Sequence, residues 1–125
     1  MSKEQREKTK KMFRFEELEI WQRPAELSPV LFAVADDLES RKCFRWAEQL
    51  RAAVMSITNN IAEGSGSFSK AEFAQFLNFS RRSVFETANI LILLKKHLAT
   101  NDIESHLAEL DEISRMITGF RKTLL

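Results

Sequence analysis

Apolar residues recur at helical spacing along most of the chain, and this pattern predicts four helices. The predicted helices cover residues 15–38, 43–63, 70–98 and 103–124. No stretch sustains the every-second-residue alternation that is typical of a β-strand. Amphipathic helices joined by short polar links pack as antiparallel neighbours. We therefore expect an all-α protein, an antiparallel up-and-down four-helix bundle.

Two prolines interrupt the first predicted helix, at Pro24 and Pro29. An interior proline removes one backbone hydrogen bond, and its ring clashes with the preceding turn. We expect this helix to be kinked, or broken into two pieces near Ser28, whose hydroxyl would cap the restart.

The second predicted helix has one apolar arc and is followed by a glycine-rich turn. The arc contains Trp46, Leu50, Ala53, Val54, Ile57 and Ile61. Gly64 is placed to end this helix, and Gly66 would let the chain reverse direction. Ser69 and Glu72 then match a capping box, which predicts the start of the third helix.

The third predicted helix carries two stripes. The first would face the core and contains Phe73, Phe76, Leu77, Ser80, Val84, Thr87, Ala88, Leu91, Leu94 and Leu98. The second contains Phe79, Ser83, Glu86, Ile90 and Leu93. One stripe is enough for the core of a monomer, so the second favours self-association, with a merely wide core face as the alternative.

Polar residues on the second and third helices suggest an assembly region. Ser56, Asn60 and Glu63 leave the apolar arc of the second helix, and Ser83 and Glu86 lie on the second stripe of the third. We expect these residues to form one hydrogen-bonded region beside or within a subunit interface.

Charge is distributed unevenly along the 125 residues, whose length suits a single domain. The first 14 residues hold six Lys or Arg and two acids, although the net charge of the whole chain is only +1. We predict a flexible basic arm over residues 1–13 and the bundle over residues 14–125. The candidate nucleic-acid contacts are Lys8, Lys10, Lys11, Arg14, Arg51, Arg81 and Arg82. Arg51 would approach Arg81 and Arg82 if the second and third helices are neighbours; an ordinary solvated surface is the alternative.

Catalytic chemistry has little support in the sequence. His97, His106 and Cys43 lack metal-ligand spacing, and Glu63 and Glu86 are not brought together by spacing alone. We therefore predict no catalytic site, no metal, no cofactor and no enzymatic activity. The N-terminus lacks the apolar core of a signal peptide, and no apolar run is long enough for a bilayer. We expect a cytoplasmic protein with no membrane partner.

Three sequence blocks resemble the bacterial four-helix bundle proteins, also called 23S ribosomal RNA intervening-sequence proteins. FEELEIWQ at residues 15–22 is similar to the family's F-x-x-L-x-[IV]-W-[QK], and RAAVMSITNNIAEG at residues 51–64 resembles its RAAxSIPxNIAEG. The family's F-x-x-FL-x-x-AxGS-x-x-E segment is matched by Phe73, Phe76, Leu77, Ser83 and Glu86. This chain departs from the family at Thr58, where proline is usual, at Ser67, where arginine is frequent, and at Ser80 and Arg82, where small residues are usual.

The resemblance implies a bundle that assembles as a homopentamer and has no known enzymatic activity. Some members resemble the accessory variability protein of diversity-generating retroelements, which implies RNA, DNA or a reverse transcriptase as partner. Our leading interpretation is a non-enzymatic oligomeric scaffold that binds nucleic acid or a nucleoprotein partner through basic surfaces. The alternative is a protein-only adaptor that docks a partner helix on the apolar stripe of the third helix, around Phe79 and Ile90.

Overall fold

The computed structural model describes residues 11–98 and 102–125, and this part of the chain is helical. The helices are α1 (Glu19–Ser40), α2 (Phe44–Ser65), α3 (Lys70–Leu94) and α4 (Ile103–Lys122), with short 3₁₀ turns at Arg14–Glu17 and Lys95–His97. These residues contain no β-strand. The predicted all-α class and the four-helix bundle are confirmed. Across the same ranges, no helix combines the length and apolar character that a membrane span requires.

Each helix packs against the next along the chain, and α4 returns to α1. The antiparallel order is visible where Ser83 of α3 bonds to Ser56 of α2, while Ser80 bonds to Ile57. All four helices contribute to one core. Its fully buried side chains include Leu31, Leu38, Leu50, Ile57, Ile61, Leu77, Leu91, Leu110, Ile113 and Ile117.

Helix α1 runs without a break through both prolines, so the predicted division near Ser28 is wrong. Pro24 is itself buried, and Ile20 and Leu31 on flanking turns belong to the same core. The free energy gained by packing this face into the core offsets the cost of the backbone hydrogen bonds that the prolines remove. The Ser28 hydroxyl does not cap a restart; it donates to the Pro24 carbonyl one turn earlier, at 2.7 Å.

The turn between α1 and α2 places Lys42 in the left-handed region, with a φ of 66°. The Lys42 amide donates to the Glu39 carbonyl, and the Cys43 amide donates to the Leu38 carbonyl, each at 2.9 Å. This pair of bonds is a Schellman motif, in which the left-handed position usually holds glycine. Here a lysine adopts the strained conformation.

Two expectations for α2 are wrong. Trp46 is 42 % exposed, and the buried position at this end belongs to Ala47. Gly64 does not end the helix, because α2 continues to Ser65 and no described glycine has a positive φ. Gly64 is instead a buried contact point against α3, and Gly66 follows the last helical residue.

Helix α3 begins as predicted, because the Ser69 hydroxyl accepts a hydrogen bond from the Glu72 amide at 3.1 Å. The helix ends at Leu94 rather than Leu98, since the chain tightens into the 3₁₀ turn. The second stripe is not a separate surface. Ser83 and Ile90 are buried in the monomer core, at 8 % and 3 % exposed. Only the remaining members, Phe79, Glu86 and Leu93, are exposed.

Candidate functional site

A groove runs between α2 and α3 and is the first candidate site. It encloses about 480 Å³ and is lined by Ser56, Asn60, Phe79, Arg82, Ser83 and Glu86. The antiparallel packing of the two helices brings the polar residues of both sequence motifs to this groove. It is open to solvent and mixes one aromatic ring with hydroxyl, amide and charged groups.

Hydrogen bonds connect the polar residues at the base of this groove. The Ser83 hydroxyl donates to the Ser56 hydroxyl at 2.8 Å. The Asn60 amide nitrogen donates to the carbonyl and hydroxyl oxygens of Ser56, at 2.8 and 2.9 Å. A hydrogen-bonded region between the two polar sets is therefore confirmed for these three residues. Glu86 lines the groove, but Glu63 is exposed and lies outside it.

Ser80 holds α2 and α3 together below the groove. Its side chain is fully buried, and its hydroxyl donates to the Ile57 carbonyl at 2.7 Å. A serine is small enough to allow the close approach that the family's usual small residue allows. Arg82 and Glu86 are exposed at the groove, and neither forms an ion pair within the described residues. Their charges are available to a partner.

The body arginines do not form the predicted cluster. Arg51 lies on the α1 side of α2, where it pairs with Asp36 at 2.6 Å and Glu39 at 3.4 Å. The hydrogen bond that Arg51 donates to the Asp36 carboxylate raises the pKa of the guanidinium. Arg51 is paired with these two carboxylates of α1. It therefore does not lie beside Arg82, which lines the groove on the other side of α2.

Arg81 packs on a residue of its own helix, one turn further along the chain. Its guanidinium is 4.8 Å from the centre of the Phe85 ring, and its Nε atom is buried without a hydrogen-bond partner in the described structure. A guanidinium over an aromatic face is held by a cation–π interaction. Arg81 and Arg82 are consecutive residues of one helix and therefore point in different directions.

One end of the bundle does gather basic residues. Arg14 lies 5.4 Å above the ring of Phe73, the ring of Phe120 is 5.7 Å from Phe73, and Arg121 donates to the Ala74 carbonyl at 3.0 Å. We call this surface the basic end; its described cations are Lys11, Arg14, Lys70, Arg121 and Lys122. Lys8 and Lys10 lie outside the described residues.

Arg121 and Lys122 were missing from the candidates drawn from the sequence. The sequence feature that could have identified them is their position in the last turn of α4. Basic residues are also favoured there by the helix dipole, so the position alone does not indicate a binding site. The antiparallel packing sets the last turn of α4 beside the first turns of α3, which Arg14 also contacts.

A separate ion pair joins α1 to α4. The Arg23 guanidinium donates to both carboxylate oxygens of Glu109, each at 2.8 Å. This hydrogen bonding lowers the pKa of the Glu109 carboxyl and raises the pKa of Arg23. Two parallel bonds of this kind fix orientation as well as distance, so the contact is a structural clamp.

No group of three or more potential metal ligands comes together within residues 11–98 and 102–125. His97 is exposed in the 3₁₀ turn, and His106 lies beside the clamp residue Glu109 in a shallow α1–α4 groove. Cys43 is half-buried at the start of α2.

Comparison with protein families matches residues 16–119 to the 23S rRNA-intervening sequence protein family. The matched range begins in the 3₁₀ turn before α1 and ends in the last turn of α4, so it includes the groove and Gly64. No curated protein sequence matches the chain.

Proposed function

The chain belongs to the 23S rRNA-intervening sequence protein family, and from this premise we propose that it is a non-enzymatic oligomeric scaffold that binds nucleic acid or a nucleoprotein partner. The single observation that carries the binding proposal is the basic end, where Arg14 and Arg121 lie on the first turns of α3. The basic arm predicted from the sequence joins the bundle there. A reverse transcriptase is the nucleoprotein partner suggested by the retroelement resemblance.

Assembly, as a homopentamer, is supported by the surface of α3 beside the groove. Phe79 and Leu93 are 38 % and 58 % exposed, and Glu86 lies between them. These residues are spaced by seven, which keeps them on one helix face over four turns. Large apolar side chains beside unpaired charges and a polar network are suited to a specific subunit contact.

Two consecutive aliphatic residues of α3 provide a matched test of assembly. Leu93 and Ile92 are equally exposed, at 58 %, but point about 100° apart around α3. Leu93→Glu should reduce the oligomer mass measured by size-exclusion chromatography with light scattering, while Ile92→Glu should retain it. A wild-type protein that stays monomeric at micromolar concentration would remove the assembly proposal.

Nucleic-acid binding is tested by its dependence on salt. Each phosphate contact releases counterions, so the logarithm of affinity for labelled RNA should fall linearly with the logarithm of salt concentration. Lys122→Gln should flatten that slope by about one, whereas Lys95→Gln, remote from the basic end, should leave it unchanged. A wild-type slope of zero would remove the phosphate-contact mechanism.

A protein-only adaptor is the second candidate, favoured by the same exposed Phe79 and Leu93. Ile90 is no longer part of that docking surface, because it is buried in the core. If Leu93→Glu keeps the oligomer but loses a protein partner, the surface is a docking site rather than a subunit interface.

A further inference from the structure

The turn between α2 and α3 presents a phenylalanine to solvent. Phe68 is 107 % exposed, the highest value among the described large apolar side chains. Its position is at the basic end, because α2 finishes and α3 begins there, and Lys70 follows two residues later. A second ring, Phe13, is 62 % exposed and lies next to Arg14 at the same end.

Both rings are carried by backbone that hydrogen bonds hold in place. Before Phe68, the Gly66 amide donates to Glu63 and the Ser67 amide donates to Gly64, at 3.1 and 3.0 Å. After it, the Ser69 hydroxyl caps α3. Phe68 is thus displayed on a fixed turn, which lowers the entropy lost when a partner binds it.

Phe13 is held in a comparable way. Its amide donates to the Glu16 carboxylate at 2.8 Å, and its ring stacks on Phe15 with 5.6 Å between centres and 14° between planes. Phe15 in turn contacts Trp21 at 5.1 Å. The exposed face of Phe13 therefore extends an existing aromatic stack.

The charges around these rings favour a single strand over a duplex. The five cations of the basic end alternate with carboxylates, among them Glu16, Glu17, Glu63 and Glu72. A duplex needs a continuous positive surface for its two regularly spaced phosphate rows. A single strand can place separate phosphates on separate cations and turn its bases onto aromatic rings.

We propose that the basic end binds single-stranded nucleic acid, with one base stacked on Phe68, another on Phe13, and phosphates held by the neighbouring cations. The proposal rests on the nucleic-acid binding proposed above and specifies its ligand class and contact residues. Stacking on a side chain contributes affinity without reading base identity. The site would accept many sequences.

Anisotropy titrations of fluorescein-labelled oligouridine RNA, with a labelled blunt-ended RNA duplex of equal charge as comparison, test this site. Phe68→Ala should weaken oligouridine binding about tenfold and leave duplex binding unchanged. Phe68→Trp should restore binding, and Phe68→Leu should not, because leucine is apolar but cannot stack. Phe44→Ala is the matched control, since Phe44 is 57 % exposed at the opposite end of the bundle.

The outcomes separate this site from the general proposal. If wild type binds neither RNA, nucleic-acid binding itself fails. If wild type binds oligouridine and Phe68→Ala binds it equally well, only the stacking site is overturned. Full rescue by Phe68→Leu, or a loss of oligomer mass in Phe68→Ala with RNA affinity intact, would assign the ring to an apolar protein contact instead.

Discussion

A Cβ atom added to Gly64 would lie 2.6 Å from the Cβ of Phe76, closer than such atoms approach in proteins. The same atom would lie 2.9 Å from Cδ1 of Phe73. The Phe76 Cβ is fixed to the α3 backbone and cannot rotate away. The glycine of the family's NIAEG block therefore sets how closely α2 and α3 approach.

Gly64→Ala should destabilise the protein by about 1–3 kcal/mol, because the helices must separate to admit the methyl group. Gly119→Ala is its control: Gly119 lies within α4 with nothing within 4 Å of the added atom. That substitution should stabilise by about 0.5–1 kcal/mol through helix propensity alone. Urea unfolding of both variants measures the difference, and equal stabilisation by the two would contradict the contact role of Gly64.

The Arg23–Glu109 clamp should make stability depend on pH. The folded pKa of Glu109 is lowered, so its contribution is complete above the ordinary Glu pKa of about 4.3 and is lost as pH falls through the folded pKa. Glu109→Gln should cost about 0.5–1 kcal/mol at neutral pH, a range that allows for partial solvent exposure. The difference in unfolding free energy between wild type and variant should start to narrow below the ordinary Glu pKa and disappear below the lowered folded pKa. A difference that does not narrow as the pH falls would mean that the clamp is not electrostatic.

Lys42→Gly should stabilise the turn between α1 and α2. The left-handed conformation costs a residue with a side chain about 1 kcal/mol of conformational free energy, because its Cβ crowds the backbone, and this cost is absent for glycine. Part of that gain is offset by the greater freedom of glycine in the unfolded chain. We expect a rise of up to about 1 kcal/mol in thermal or urea unfolding. Lys42→Ala, which keeps the strain, should show no such rise.

Ser80→Ala tests the bond between α2 and α3. Removing the buried hydroxyl deletes its bond to the Ile57 carbonyl and should cost about 1 kcal/mol. The exposed Thr123 hydroxyl makes a bond of similar length, 2.6 Å, to the Phe120 carbonyl. Thr123→Ala should have little effect because water replaces that bond. Similar losses for both variants would argue against a special role for Ser80.

Helical periodicity predicted the fold class and the four helices, and the capping box of Ser69 and Glu72 predicted the start of α3. Periodicity alone could not distinguish a glycine that ends a helix from one that lets two helices touch. Gly64 was therefore interpreted as a terminus, when a neighbouring phenylalanine explains it. The predicted arc of α2 is correct at Leu50, Ala53, Val54, Ile57 and Ile61, and it is wrong only at its first member, Trp46, where Ala47 is the buried residue.

The candidate site was harder to predict because it depends on which faces meet. Ser56, Asn60 and Ser83 were identified as one polar region, since each interrupts an apolar helix. Arg51 was assigned to the wrong side of α2, because its partner Asp36 comes from a helix whose orientation the sequence does not specify. Arg121 reaches the first turns of α3 through the packing of α4, which the sequence does not specify.

Phe73 contacts residues that are far apart in the sequence, Arg14 and Phe120. During synthesis Arg14 and α3 precede α4, so Phe73 can meet Arg14 before it meets Phe120. Until α4 packs onto α3, the basic end lacks Arg121 and Lys122. Folding of α4 therefore completes the basic end.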